Sequence, residues 1–284
     1  TFNSKRYFII KCMKKIKFIK MHGLGNDFVI FRNEFVEHYD EKFIKKISDR
    51  KTGVGCDLVA FVNDSKSKFA DLEVKFYNSD GSKAKTCGNA LRCIGKNYFE
   101  HNKVQNLVIE TESGLVDIQD YGNGNISVDM GKPNFACDAI PVISKTGDNK
   151  ININFSYLKE GTALSLGNPH LIFFVDKIDR IALEKDSQKV KKLNIFPDGV
   201  NISVAKIINS ESLEVLTYER GVGITQACGS GACASFVVAK LLNHVQEKVC
   251  VEMKGGNLNI ELSKDKHIIM VGKATKVFEG TLNV

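Results

Sequence analysis

The chain has 284 residues, of which 43% are hydrophobic and 26% charged, a composition typical of one large globular domain or of two smaller ones. Its formal net charge of +7 comes from basic residues spread along the whole chain. Since no basic block is interleaved with aromatic residues, the charge favours attraction of small anionic molecules over a nucleic-acid surface.

The beginning of the chain is apolar only briefly. Residues 6–18 (RYFIIKCMKKIKF) are interrupted by lysines far short of a membrane span, and they do not resemble a signal peptide followed by a cleavage site. We therefore expect residues 1–12 to be an extension or tag remnant before a domain that begins at Met13. We expect the protein to be cytoplasmic, with reduced thiols.

The first half of the chain alternates between strand and helix signals. A short surface helix is predicted at 40–50, and a second helix at about 89–100 carries Leu91, Ile94 and Tyr98 on one face. Strands rich in β-branched and aromatic residues are predicted at 16–20, 28–32, 57–62, 72–77, 106–111, 114–119 and 125–130.

The second half repeats landmarks of the first at a nearly constant spacing. Leu-Gly-Asn at 24–26 recurs at 166–168, and the Cys-Gly pair at 87 recurs at 228. The strand LEVKFYN, which ends at Asn78, is matched by LEVLTYER, which ends at Arg220. These repeats predict duplicated halves. The helix of the second half, at about 230–244, is apolar nearly all round and should be buried.

These patterns predict an α+β fold of two pseudo-symmetric domains, each with strands wrapped around a central helix, and an active site in the cleft between them. Residues 131–150 hold two of the four prolines and a polar turn, which is typical of a boundary. We therefore divide the chain into an N-terminal half, 13–131, and a C-terminal half, 132–284.

Two cysteines, Cys87 and Cys228, stand at equivalent positions directly before a glycine and a predicted helix. The unpaired amides and positive dipole end of a helix start favour a thiolate and can bind a carboxylate. Two such sites facing each other would place one sulfur on each side of a substrate carbon. One thiolate would remove a proton while the opposite thiol delivers one, which is racemase or epimerase chemistry without metal or pyridoxal.

Three other interpretations of the cysteines remain open. A cysteine is often only a small buried apolar residue, which is our expectation for Cys56, Cys93, Cys137, Cys233 and Cys250. A four-cysteine zinc site is disfavoured, because five residues separate Cys87 from Cys93 and four separate Cys228 from Cys233. A redox pair of Cys87 with Cys228 is the third interpretation.

Five ordered motifs resemble those of the diaminopimelate epimerases, and the resemblance runs from about Met13 to the C-terminus. They are residues 21–28 (MHGLGNDF), 79–93 (SDGSKAKTCGNALRC), 167–170 (GNPH), 196–201 (FPDGVN) and 218–234 (YERGVGITQACGSGACA). The resemblance implies a cofactor-independent isomerase that interconverts LL- and meso-diaminopimelate for lysine and peptidoglycan biosynthesis. It implies twin α/β domains, a last strand that returns to the first domain, and a homodimer. The expected partners are thus a small amino-acid substrate and a second copy, with no nucleic acid and no membrane.

The same resemblance assigns roles to individual residues. Cys87 and Cys228 match the acid and base, and His170 and Glu219 match residues that tune thiol ionisation. The substrate contacts that it implies are Asn26, Asn78, Gly88, Asn89, Asn168, Asn201, Glu219, Arg220, Gly229 and Ser230, and it implies no metal ligand. A forked guanidinium suits a carboxylate, and carboxylate or amide oxygens suit an ammonium. Taken singly, Asn26, Asn168 and Asn201 could instead serve backbone turns, and Glu219 with Arg220 could be a surface ion pair.

Three positions depart from the family pattern. Ala90 replaces the second glycine of CGNG, Ile224 replaces the glutamate of GVGET near the second thiol loop, and Leu58 stands where some members contact substrate with a polar residue. Two alternatives therefore stay open: a racemase of another amino acid such as histidine, and a catalytically retired relative that only binds an amino acid.

Overall fold

The computed structural model describes residues 15–33, 39–143 and 149–283. The predicted extension at 1–12, the predicted domain start at Met13 and Cys12 lie outside the described residues. Residues 144–148, within the predicted boundary segment, lie outside them as well. The division at residue 131 therefore stays a prediction.

The first half contains the elements predicted for it, in the predicted order. They are β1 (Lys15–Gly23), β2 (Asn26–Arg32), α1 (Glu41–Ser48), β3 (Leu58–Asp64), β4 (Leu72–Asn78), β5 (Lys83–Ala84), α2 (Gly88–His101), β6 (Asn106–Thr111), β7 (Gly114–Gly122) and β8 (Asn125–Asp129). The helix predicted at about 89–100 is thus α2, and its predicted face is confirmed: Leu91 and Ile94 are buried and Tyr98 packs against the same core.

The second half begins with a short strand and then follows the order of the first. Its elements are β9 (Lys150–Asn152), β10 (Glu160–Ser165), β11 (Pro169–Phe174), α3 (Arg180–Lys192), β12 (Asn201–Asn209), β13 (Ser212–Glu219), β14 (Gly223–Ile224), α4 (Gly229–Leu241), β15 (Lys248–Met253), β16 (Gly256–Leu262), β17 (Ile268–Lys273) and β18 (Thr275–Asn283). The first two turns of α4 are buried nearly all round, as its apolar sequence predicts.

Strand pairing is the same in the two halves, which confirms the predicted duplication. In the first half β2 pairs in parallel with β3, and β4 with β6, while the remaining neighbours are antiparallel. In the second half β11 pairs in parallel with β12, and β13 with β15, again among antiparallel neighbours. Each parallel pair needs a crossover, which the four helices provide.

The halves are joined at two places in the sheet. Strand β8 of the first half pairs antiparallel with β17 of the second, so the eighteen strands found in the described residues form one continuous sheet. The last strand, β18, pairs antiparallel with β1. The polypeptide therefore crosses between the halves twice, which holds their facing edges together.

Burial on both faces explains the uninterrupted apolar runs in β2 and β3. In β2, Phe28 and Ile30 point to a core shared with α2, whereas Val29 and Phe31 point to a second core beneath α1. A strand that is covered on both faces needs apolar side chains at consecutive positions. The core around α2 continues to α4, so the two central helices lie inside one apolar interior.

None of the helices in the described part of the chain has the length and apolarity that a membrane crossing needs.

Candidate active site

The two central helices begin differently from the two surface helices. Asp40 and Asp179 cap α1 and α3 by accepting hydrogen bonds from Phe43 N (2.8 Å) and Ala182 N (2.9 Å). The capping positions of α2 and α4 are Cys87 and Cys228, which have extended backbones and form no side-chain cap. The first-turn amides of both central helices are therefore left for the sulfur or for a ligand.

The starts of α2 and α4 meet across the boundary between the halves. Asn89 Nδ2, in the first turn of α2, lies 3.5 Å from the carbonyl oxygen of Ala227, the residue before Cys228. The Met270 side chain lies against both first-turn glycines: a Cβ on Gly88 would be 2.7 Å from its Cε, and a Cβ on Gly229 would be 2.9 Å from its Sδ. A side chain at either position would therefore have to displace the end of the Met270 side chain.

On the first-half side, Asn26 lies beside Cys87. Asn26 Oδ1 is 3.9 Å from the Cys87 sulfur and accepts a hydrogen bond from Asn89 Nδ2 at 3.2 Å, while Asn26 Nδ2 donates to Asp57 Oδ2 at 2.9 Å. Asn78, by contrast, bonds within its own turn: its Nδ2 donates to Ser82 Oγ at 2.9 Å and its backbone N to Ser82 O at 2.8 Å. The structure thus brings Asn26 and Asn89 together with Cys87, and uses Asn78 to close the loop after β4.

On the second-half side, Ser230, Asn168 and His170 extend away from Cys228. The Ser230 hydroxyl is 3.7 Å from the Cys228 sulfur and accepts a hydrogen bond from Asn168 Nδ2 at 3.4 Å. Asn168 Oδ1 lies 3.0 Å from His170 Nε2. His170 is fully buried, and its Nδ1 has no hydrogen-bond partner among the described residues. His170 therefore reaches the thiol only through Asn168 and Ser230.

Glu219 is the acidic residue next to Cys228. Burial raises the pKa of its carboxyl, while hydrogen bonds from the Thr225 hydroxyl, at 2.6 Å, and from Cys228 act in the opposite direction. The neighbouring residue, Arg220, donates its backbone N–H to Asn201 Oδ1 at 2.9 Å and its Nη1 to Asp198 O at 2.7 Å. Asn201 thus fixes the end of β13 that presents Glu219 and Arg220.

Burial keeps both thiols in the neutral form. It raises the pKa of Cys87 to about 11, although the N–H groups of Ala90 and Asn89 act against it. It also raises the pKa of Cys228 well above its ordinary value, and the charge of Glu219 adds to this shift. The pKa of His170 falls to about 3, because of burial and then the charge of Arg220, so its imidazole is neutral. A bound ammonium would favour the thiolates that the reaction requires.

The other described cysteines divide into two groups. Cys56, Cys93 and Cys233 are buried, and the last two lie in the core around the central helices, as predicted for small apolar residues. Cys137 and Cys250 are only partly buried. In residues 15–33, 39–143 and 149–283, no three His, Cys, Asp or Glu side chains are grouped as metal ligands would be.

The three departures from the family pattern occupy apolar surroundings. Ala90 is fully buried in the first turn of α2, and Leu58 is buried in the core beside α2. Ile224 packs against the apolar cluster that contains Tyr218, its partner across the β13–β14 pair. Each of the three therefore fits its position as an apolar residue.

Three further residues at the site were missed by the sequence analysis: Asp57, Arg92 and Met270. Arg92 interrupts the apolar face of α2 between Leu91 and Ile94, which was the available signal. Asp57 and Met270 carried no comparable signal, because each acts through contacts between elements distant in the sequence.

Two surface cavities are separate from the thiols. One, of about 390 Å³, lies beside the start of α1 and includes Tyr39, Asp40 and Tyr77. The other, of about 510 Å³, lies near Leu24 and strands β16 and β17, and includes Asn257 and Lys273. Neither is lined by Cys87 or Cys228, and the chemistry at the helix starts is the reason to place the active site there.

Comparisons with known proteins agree with the motifs. The family model described as diaminopimelate epimerase matches residues 18–136 and 162–277. The chain is 36% identical over 271 residues to a diaminopimelate epimerase of Erythrobacter litoralis, covering 95% of this chain and 98% of the relative. It is 38% identical over 273 residues to that of Bartonella quintana, covering 95% and 96%.

Solved structures of other proteins have a similar fold. A hydroxyproline epimerase from Agrobacterium vitis superposes with a TM-score of 0.73 at 11% identity, covering 97% of this chain and 94% of that one. A probable proline racemase from Agrobacterium radiobacter gives a TM-score of 0.69 at 13% identity, covering 95% and 92%. The predicted two-domain α+β architecture is thereby confirmed.

Proposed function

Since the chain belongs to the diaminopimelate epimerase family, we propose that it is an isomerase that interconverts LL- and meso-diaminopimelate by proton transfer between its α-carbon and two cysteine sulfurs. The observation that carries the proposal is that α2 and α4 meet at their N-termini, where Cys87 and Cys228 occupy the N-cap positions. Asn89, two residues after Cys87, contacts Ala227, which precedes Cys228.

The reaction breaks one C–H bond and forms another on the opposite face of the same carbon. One sulfur, as thiolate, accepts the α-proton, and the electron pair of the C–H bond is delocalised into the substrate carboxylate. The other sulfur, as thiol, gives its proton to the opposite face and becomes a thiolate. The open amides of the two helix starts stabilise the negative charge that develops on the carboxylate. Proton transfer by the two sulfurs uses neither a cofactor nor a metal.

The rest of the site recognises the two ends of the substrate. Asn26, Asn89 and Ser230 surround the reacting end, because they lie beside the two sulfurs. Arg220, at the end of β13, provides a forked cation suited to the distal carboxylate, and Glu219 provides an anion beside Cys228, suited to a substrate ammonium. Asn78, Asn168, Asn201, Gly88 and Gly229 complete the proposed set of contacts.

The two residues proposed to tune thiol ionisation, Glu219 and His170, lie at different distances from the Cys228 sulfur. Glu219 is hydrogen-bonded to Cys228 and can take up its proton as the thiolate forms. His170 acts through Asn168 and Ser230, since its Nε2 contacts Asn168 Oδ1. We assign Glu219 a direct role in the ionisation of Cys228 and His170 an indirect one.

A substrate panel tests the proposed function. In deuterated water, diaminopimelate should lose its α-proton signal in the NMR spectrum and change configuration, whereas histidine, proline and lysine should keep theirs. The reason is that, of the four amino acids, only diaminopimelate presents a second carboxylate to Arg220. Exchange with histidine or proline alone would instead identify a racemase of another amino acid, and binding of diaminopimelate without exchange would identify a retired relative.

We further propose that the protein acts in the cytoplasm, in lysine and peptidoglycan biosynthesis, as a homodimer with halves at 13–131 and 132–284. Strand β18 supports the dimer, because it exposes the apolar residues Val277 and Phe278, at 53% and 46%. An exposed apolar edge strand is a surface that a second copy can cover.

A further inference from the structure

A chain of hydrogen bonds with a cation at one end and a carboxylate at the other runs past Cys87. Arg92 Nη2 donates to Asn89 Oδ1 at 2.8 Å, and Asn89 Nδ2 donates to Asn26 Oδ1 at 3.2 Å. Asn26 Nδ2 in turn donates to Asp57 Oδ2 at 2.9 Å. The two central members of the chain are the amides that surround the first thiol.

The two ends determine the direction of every bond between them. A guanidinium can only donate hydrogen bonds, and an ionised carboxylate can only accept them. Asn89 must therefore turn its oxygen to Arg92, and Asn26 must turn its NH₂ group to Asp57. If either amide were reversed, two donors or two acceptors would face each other. Asn26 consequently presents its oxygen to the Cys87 sulfur, and Asn89 presents its NH₂ group towards Ala227 and the second half.

Arg92 occupies a costly position. It is fully buried, its Nε has no hydrogen-bond partner among the residues that the structure describes, and burial lowers the pKa of its guanidinium. Over the described ranges, no carboxylate lies within ion-pair distance of it. Its other contact is weak, from Nη1 to the Met270 sulfur at 3.3 Å. Since a buried cation without an acidic partner destabilises the fold, its bond to Asn89 is the evident reason for its presence.

The second half has no equivalent of this chain. The residue 141 positions after Arg92 is Cys233, and the one 141 positions after Asn89 is Ser230. There Asn168 donates to Ser230, and Cys228 faces a hydroxyl instead of an amide oxygen. The chain of hydrogen bonds is thus specific to Cys87. Replacement of Arg92 or Asp57 should therefore change the reactivity of Cys87 and not that of Cys228.

We propose that Asp57 and Arg92 are positioning residues, which lock the amide orientations of Asn26 and Asn89 around Cys87 and so preserve the geometry of the first thiol. The proposal rests on the proposed function for its effect on turnover, but its effect on Cys87 can be measured without turnover. Asp57 is anchored from the other side by Arg50 Nη2 at 2.6 Å, so the carboxylate end of the chain is itself fixed.

The first test is Asp57→Asn, which keeps the size of the side chain but can donate as well as accept. Asn26 can then reverse, since Asn89 Nδ2 has a second acceptor in the carbonyl oxygen of Ala227. The reversed Asn26 donates its NH₂ group to the Cys87 sulfur, which favours the thiolate. We expect alkylation of Cys87 by iodoacetamide at pH 8 to quicken by roughly threefold or more. Alkylation of Cys228 in the same sample, followed by peptide mass spectrometry, should not change. The charged groups that face Cys87 are Glu219 of β13 and Arg92 of α2, and both are retained in this variant.

The second test is Arg92→Met, which removes the cation and the donor to Asn89 while filling much of the same volume. Loss of the nearby positive charge should slow alkylation of Cys87, a change opposite in sign to that of Asp57→Asn. Arg92→Lys retains a charged donor, so its rate of Cys87 alkylation should lie between those of wild type and Arg92→Met. If Arg92→Met does not fold, Asp57→Asn still tests the proposal, because Asp57 lies at the surface end of the chain.

Matched controls are available on the same elements. Asp64, at the other end of β3, is paired with Arg32 at 2.5 Å, and Lys96, one turn after Arg92 on α2, is paired with Glu100 at 3.0 Å. In Asp64→Asn and Lys96→Met, Cys87 and Cys228 should be alkylated at the wild-type rates. Turnover of diaminopimelate should fall roughly 100-fold in Asp57→Asn and Arg92→Met, because misplaced groups cost about this much, and should be unchanged in the controls.

Equal changes at both cysteines, or none at Cys87, would contradict the positioning roles, because a general loss of structure affects both thiols. If wild-type protein does not turn over diaminopimelate but the Cys87-specific changes occur, the proposed substrate fails while the positioning roles stand. The two proposals can therefore fail separately.

Discussion

Replacement of either Cys87 or Cys228 by alanine is expected to lower kcat roughly 10²- to 10⁴-fold, since each variant lacks one of two positioned proton-transfer groups. Cys87→Ala leaves a single sulfur, on the side of Cys228, and Cys228→Ala leaves the opposite one. The double variant should be about as inactive as either single one, because residues that act as a unit are not additive. Steady-state kinetics with diaminopimelate measure the effect.

Cys93→Ala and Cys233→Ala are the matched controls, since they remove the second thiol of the same two helices. Both side chains are fully buried and apolar in their surroundings, so the expected cost is one of stability, with kcat near that of wild type. Retention of substantial turnover by Cys87→Ala or by Cys228→Ala would show that the lost sulfur is not a proton-transfer group.

Arg220→Met is expected to raise KM by at least about 30-fold, because loss of a charged hydrogen-bonding partner costs about 2–5 kcal/mol. The proposed loss is that of the fork that holds the distal carboxylate. Arg220→Lys should recover only part of the affinity, since a single ammonium cannot form two parallel bonds. Alkylation of the two capping cysteines should be nearly unchanged, so the defect can be assigned to binding.

The matched control for Arg220 is the exposed Arg180 at the start of α3. Arg180→Met removes the same charge from an exposed position and should leave KM unchanged. A KM of wild-type size for Arg220→Met would remove this residue from the proposed substrate contacts.

Local and periodic signals were sufficient for the central helices. Leu91 and Ile94 share a face, and the residues after Cys228 are apolar all round, so both helices and their burial follow from spacing. The repeated Cys-Gly pair likewise predicts that the helices occupy equivalent places in two halves. For these elements, the structure agrees with the sequence because the deciding interactions are local or repeated.

These local and periodic signals do not predict contacts between elements that are distant in the sequence. The pairing of β8 with β17 and the position of Met270 against two glycines depend on how the halves meet. The chain from Arg92 to Asp57 joins α2, β2 and the start of β3, elements separated by loops of different lengths. Hydrophobic periodicity along the sequence does not predict such contacts. The contact of Asn78 with substrate, which its motif predicts, stays a prediction; the structure adds the bonds to Ser82 that close its turn.

The most direct test of two opposed sulfurs is the hydrogen content of the product formed from LL-diaminopimelate in deuterated water at initial rate. Because the donating thiol exchanges with solvent, the inverted carbon of meso-diaminopimelate should carry deuterium, while unreacted LL-diaminopimelate keeps its protium. Product in which the inverted carbon retains the protium of the substrate would mean that one group both removes and returns the proton, and the account of two separate sulfurs would be wrong.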